Sequence, residues 1–175
     1  PSEVPEFANA TITAYRTLEA AGVQILRAIA LYLQLDENYF DRQAKLGNSI
    51  LRPIHYFPMN NPQDIPADAV RAAAHGDINL ITLLMGASAE GLEILRQDGN
   101  WMLERLTNKK LRSTIHRVVN PPQGFWDTPR YSIPFFMHPV SEMDLSCLAE
   151  CIDEQHPKQF DDLTAGEFLT QRLRE

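Results

Sequence analysis

Two histidines and one aspartate carry the clearest chemical signal in the sequence. His75 and Asp77 flank Gly76, and His116 lies further along in Ser113-Thr114-Ile115-His116-Arg117-Val118-Val119. Residues two apart on an extended chain face the same way, so the His75 imidazole and the Asp77 carboxylate can converge on one ion. His116, on a separate strand, would be the third donor. Two imidazoles and one carboxylate on one side of a metal leave the opposite positions open, which suits iron(II) binding oxygen and a second ligand together. Spacing alone is a weak argument: with 5 His and 11 Asp in 175 residues, a His-x-Asp triplet arises by chance about 0.3 times per chain. His55, His138 and His156 have no such context and read as structural or surface histidines.

A second pair has the same two-residue spacing. Arg130 and Ser132 would face one way on a strand, offering a bidentate cation and a hydroxyl suited to holding a carboxylate. The two cysteines, Cys147 and Cys151, are too few for a disulfide framework and are not spaced as a zinc site, so they read as reduced thiols.

The elements that must position these groups follow from the apolar pattern. From about Pro5 to Leu35, the residues Ile12, Tyr15, Leu18, Ile25, Leu26, Ile29 and Leu33 recur at helical spacing with no internal proline, which predicts a long amphipathic helix. A short helical piece is expected at Asp36 to Phe40, then an extended segment from Asn48 to Pro58 and a proline-marked loop from Asn60 to Asp68. Short β-branched or aromatic runs at Ile78 to Met85, Leu92 to Leu95, Ser113 to Val119 and Tyr131 to Met137 read as strands, and several in series suggest a sandwich or jelly roll. Thr164 and Glu167 have the spacing of a capping box ahead of a terminal helix. The expected organisation is a single domain, with helical support over 1–47, a jelly-roll core over 48–145 and a helical segment over 146–175.

Bulk properties narrow the class. The chain has 16 basic and 23 acidic residues, a net charge of −7, and no Lys/Arg block to track a phosphate backbone, so nucleic acid is not an expected partner. No signal-peptide pattern and no run approaching the ~20 apolar residues of a membrane span occurs, so no membrane partner is expected and the localisation is read as cytoplasmic.

Segments in order along the chain then carry a family likeness. His75-Gly76-Asp77-Ile78-Asn79-Leu80-Ile81-Thr82-Leu83-Leu84, Glu90-Gly91-Leu92-Glu93-Ile94, Asp98-Gly99-Asn100-Trp101, Thr107-Asn108, Ser113 to Pro121 and Arg130-Tyr131-Ser132-Ile133-Pro134-Phe135-Phe136 resemble the iron(II)/2-oxoglutarate-dependent oxygenases, in the isopenicillin N synthase-like branch. The resemblance implies a mainly β fold with flanking helices, the double-stranded β-helix or jelly roll. It implies Fe(II) held by His75, Asp77 and His116, and 2-oxoglutarate as co-substrate held by Arg130, Ser132 and Tyr56, with ascorbate in a supporting role. The implied reaction is oxidative decarboxylation of 2-oxoglutarate to succinate and carbon dioxide, coupled to oxidation of a small-molecule substrate by molecular oxygen. Phe135 and Leu83 are candidate apolar walls that exclude water.

The sequence departs from that pattern in one place. Asp77 and His116 stand closer in sequence than the family pattern leads one to expect, and strands are read as missing between Trp101 and Leu103, with convergence of the triad expected to require a completed barrel there. Intact ligands and flanking strands favour segments of a longer protein left out of this sequence over a truncated protein. Two alternatives stand beside the dioxygenase reading: an isopenicillin N synthase-like oxidase that does not use 2-oxoglutarate, and a catalytically inactive jelly-roll binding protein.

Overall fold

The protein is described from a computed structural model. The residues described are all except 1–2, 60–62, 64, 67, 96–101 and 175. Part of the loop expected at Asn60 to Asp68, and the whole Asp98 to Trp101 motif, thus lie outside the described residues.

Helix α1 (Phe7–Tyr32) follows from its apolar stripe, which buries Gly22, Leu26 and Ala30 and half-buries Tyr15, Leu18 and Ile29 against the core. Its end is set by backbone geometry. Gln34 adopts φ +63°, and the amides of Gln34 and Leu35 donate to the carbonyls of Leu31 and Ala30 at 3.0 and 2.9 Å, a Schellman closure built on glutamine. The next helix, α2 (Asp41–Ala44), begins beyond the expected Asp36–Phe40 piece. There the Asp36 side chain accepts from the Asn38 amide at 2.8 Å, a local turn that competes with helix. Arg27 joins the two helices through Nη2 and Nε to Asp41 at 2.6 and 3.2 Å, and this pair holds the Asp41 carboxyl below its ordinary value.

Seven strands make two antiparallel sheets among the described residues. The central strand of the first is β7 (Arg130–Met137), paired on one side with β1 (Ile50–Leu51) and β2 (Ile54–Tyr56) and on the other with β4 (Ile81–Met85). Pro134 lies in this central strand; pairing with β4 continues through it opposite Leu84, while the pairing with β1 and β2 breaks there. The proline lacks an amide, its carbonyl accepts from Arg52, and Arg52-Pro53 is where β1 and β2 separate. The second sheet orders β3 (Ala72–His75), β6 (Ile115–Val118) and β5 (Leu92–Leu95). The strand expected from Ile78 begins only at Ile81, and β3 was not expected at all. Its Ala-Ala-Ala-His sequence has helical propensity, which pairing with β6 overrides.

After β5 the next described element is helix α3 (Met102–Leu106), also unexpected. It buries Met102, Leu103, Glu104 and Leu106. The Glu104 carboxylate accepts from the Ser113 amide and hydroxyl at 3.2 and 2.8 Å, fixing α3 to the start of β6. The terminal helix α4 (Ala165–Arg174) opens with the expected box. The Thr164 hydroxyl and amide donate to Glu167, whose amide donates back to Thr164 Oγ1 at 3.3 Å. Between residues 146 and 164 the chain is otherwise irregular apart from a 3-10 turn at Ala149–Cys151.

Both faces of β7 are used. Phe135 and Met137 face the helices and join Leu26, Leu33, Phe40, Leu145 and Phe168 in one apolar cluster, with Tyr15 edge-on to Phe135 at 5.1 Å. Arg130, Ser132 and Phe136 face the space between the sheets. Gly47 lies where the helical layer meets the end of β7, and any Cβ there would fall onto the His138 carbonyl oxygen. Among the described residues no helix is long and apolar enough to cross a membrane.

Candidate active site

His75 and His116 are direct register partners across β3 and β6, with ring centroids 4.5 Å apart. Asp77 lies two residues beyond His75, just past the end of the paired strand β3, with the buried Gly76 between them. One donor atom from each of the three residues lies within 4.8 Å of the others. The convergence needs no further strand, because pairing of β3 with β6 already sets the two imidazoles side by side.

The surroundings fix how each donor is presented. The carbonyl of Ala73 lies 2.7 Å from His75 Nδ1 and that of Thr114 lies 3.2 Å from His116 Nδ1. A carbonyl only accepts, so each Nδ1 carries a proton, and in the neutral ring Nε2 is the nitrogen left to bind a metal. Asp77 Oδ2 accepts from Thr82 Oγ1 at 2.5 Å, and Thr82 Oγ1 accepts from the buried Asn79 amide at 2.8 Å. Asp77 Oδ1 stays 3.7 Å from His116 Nε2. Two bare imidazole nitrogens and one carboxylate oxygen are a donor set that accommodates iron(II). His138 is buried nearby with Nδ1 lacking a partner among the described residues; burial pushes its pKa down, against the Asp77 charge.

A cavity of about 360 Å³ runs from the triad to the predicted carboxylate grip. Tyr56 and Arg130 are opposite one another across β2 and β7, as are Ile54 and Ser132. Arg130 is 1% exposed. Its Nε donates to the carbonyls of Ala89 and Glu90, each at 3.2 Å, and its carbon Cζ sits 5.3 Å from the Tyr56 ring centroid. Its Nη1 is buried without a partner among the described residues, a donor the protein itself leaves for an anion. All six predicted site residues therefore line one cavity.

The apolar walls differ from the expectation. Phe135 belongs to the helix-side core, and its neighbour Phe136 lines this cavity with Leu84, Leu92 and Ile94. Leu83 lines a second cavity of about 450 Å³ on the α1 and α3 side, which meets the first at Asp77, Thr82, Thr114 and His116. Sequence reasoning passed over Thr82 and Asn79 as strand residues, Glu104 as part of an ordinary run, and Arg71, which also lines the 360 Å³ cavity. The position of Arg71 four residues before His75 was the available signal.

Two antiparallel sheets bordering two histidines, one carboxylate and a buried arginine are an arrangement that a mononuclear metal oxygenase of the jelly-roll type would use. The sequence model of the 2OG-Fe(II) oxygenase superfamily matches residues 47–139, and the chain belongs to that superfamily, which employs iron(II) and 2-oxoglutarate. A 2OG-Fe(II) oxygenase family protein from Caulobacter crescentus is 45% identical with a TM-score of 0.85, covering 99% of this chain and 61% of that one. A full-length Neurospora crassa protein, crystallised with alpha-KG and thymine, is 28% identical with a TM-score of 0.86, covering 98% of this chain and 57% of that one. The proline hydroxylase buaE of Petromyces alliaceus is 33% identical over 184 residues, covering 91% of this chain and 56% of the relative. The chain spans about half the length of the curated relatives it matches. The match to hxnY of Emericella nidulans runs over 190 positions, more than the 175 residues of the chain, so relatives carry residues inside the matched span that this chain lacks.

Proposed function

We propose that this chain is the catalytic core of an iron(II)- and 2-oxoglutarate-dependent dioxygenase that oxidises a small molecule, with His75, Asp77 and His116 as metal ligands and Arg130, Ser132 and Tyr56 as the co-substrate grip. One observation carries this reading: the triad and the orphaned Nη1 of buried Arg130 line the same cavity. A compact diacid whose one end chelates a metal and whose other end meets a guanidinium fits that layout. Bound iron(II) supplies activation of oxygen coupled to decarboxylation of 2-oxoglutarate.

The protein's own groups orient and enclose. Ala73 and Thr114 hold both imidazoles in the Nδ1–H tautomer, and Thr82 steadies the Asp77 carboxylate. Arg130 fixes the far end of the co-substrate, with Ser132 beside it on the same strand face. Leu84, Leu92, Ile94 and Phe136 give the cavity its apolar lining, which lowers the water content around the reacting centre. The alpha-KG bound by the Neurospora crassa protein supports the co-substrate assignment over the oxidase alternative. The free thiols of Cys147 and Cys151 support a reducing compartment, and we place the protein in the cytoplasm.

The test is release of succinate from 2-oxoglutarate by purified protein supplied with iron(II), ascorbate and air, read by mass spectrometry. Wild type is expected to form succinate above the protein-free rate, and Asp77→Ala to reduce it to that rate. Equal turnover by the two proteins would overturn the assignment.

A further inference from the structure

Arg130 shares the cavity with a second arginine, Arg71. The Cζ carbons of Arg130 and Arg71 lie 5.3 and 5.9 Å from the centroid of the same Tyr56 ring, and the Arg130 charge acts on Arg71. Arg71 is half-buried. Its Nη2 donates to the Thr128 carbonyl at 3.4 Å, and its Nε is buried with no partner among the described residues. Burial and the Arg130 charge both lower its pKa, yet a guanidinium does not give up its proton in a protein.

Two like charges drawn together in a partly dehydrated pocket repel each other and call for a counter-charge. The described lining offers one carboxylate, Asp77, and that group is engaged with Thr82 and faces His116. The orphaned donors, Arg130 Nη1 and Arg71 Nε, are therefore provision for an anion arriving from outside. A carboxylate has about four lone-pair sites, enough for donors from two guanidiniums.

We propose that Arg71 is a second anchor for the outer carboxylate of 2-oxoglutarate, shared with Arg130 beside the Tyr56 ring, so that two guanidiniums and not one select a dicarboxylic 2-oxo acid. This rests on the dioxygenase reading above and adds to it a positioning residue and the origin of co-substrate selectivity.

The experiment is calorimetric titration of the manganese(II)-loaded protein, which requires no turnover, with 2-oxoglutarate and with 2-oxopentanoate, which has the same chelating end but no outer carboxylate. Wild type is expected to prefer the diacid. Arg71→Gln is expected to weaken 2-oxoglutarate roughly 10- to 100-fold and leave 2-oxopentanoate unchanged, with Arg71→Lys recovering part of the loss. Thermal melting of each variant, and Arg71→Met as a second neutral replacement, separate this effect from misfolding, since a folding defect weakens both acids together. Undiminished preference in Arg71→Gln overturns the proposal and leaves the dioxygenase reading standing, as does an equal loss for both acids in variants that melt like wild type. A wild type that binds neither acid overturns the dioxygenase reading and this proposal with it.

Discussion

Thr82 shows how much of the proposed metal site would lie in the groups behind its ligands. Its hydroxyl has one proton, which goes to Asp77, and the Asn79 amide supplies the donor that keeps that proton pointing the right way. Thr82→Val keeps the shape and removes the donor, and is expected to weaken manganese(II) or iron(II) binding by about 10- to 100-fold, with Thr82→Ser recovering most of it; calorimetric metal titration reads both. Metal affinity unchanged in Thr82→Val would show that the carboxylate is held by other means. The convergence of His75, Asp77 and His116 on one cavity with Arg130 was legible in the sequence because their types are uncommon and their spacing matched a strand face or a family motif. Thr82, Asn79 and Arg71 were not. A threonine in a β-branched run and an arginine before three alanines look like ordinary strand and surface residues until the fold brings them to Asp77 and Tyr56.

Elements were legible where one periodicity dominates. Helix α1 has an unbroken stripe, and β5, β6, β7 and the start of α4 have clear boundaries in the sequence. Elements specified by partners were not. β3 is a strand because β6 lies beside it, α3 is fixed by buried Glu104 reaching Ser113, and the helical turn after α1 moves to Asp41 because Asp36 closes its own turn. The end of α1 offers a test at this scale. Gln34 is exposed and holds a positive φ that costs a residue with a Cβ about 1 kcal/mol and glycine almost nothing. Gln34→Gly is expected to stabilise the fold by about that amount, raising the thermal midpoint by roughly 2–4 °C. A lowered midpoint would show that the flexibility gained by the unfolded chain outweighs the relieved strain.

Across the whole molecule, the superfamily and its two-sheet layout were legible because ordered motifs span most of the chain. The expected dependence of the triad on further strands was not correct, since the cross-strand register of His75 with His116 is local to one sheet. On the α1 side of the triad lies the 450 Å³ space. It shares Asp77, Thr82, Thr114 and His116 with the 360 Å³ cavity, so the proposed reacting centre would open to two spaces. With iron(II) and 2-oxoglutarate held as proposed, this second space would give water a route to the triad from the α1 side, opposite the apolar lining of the first cavity. The chain is therefore expected to release more than one succinate per substrate molecule oxidised, with the excess spent on unproductive cycles. Ile25→Trp, at the α1 edge of that space, is expected to bring the ratio down toward one without altering the ligands. Counting succinate against oxidised product in both proteins would measure how much of the oxygen consumed does useful chemistry, and an unchanged ratio would place the leak elsewhere.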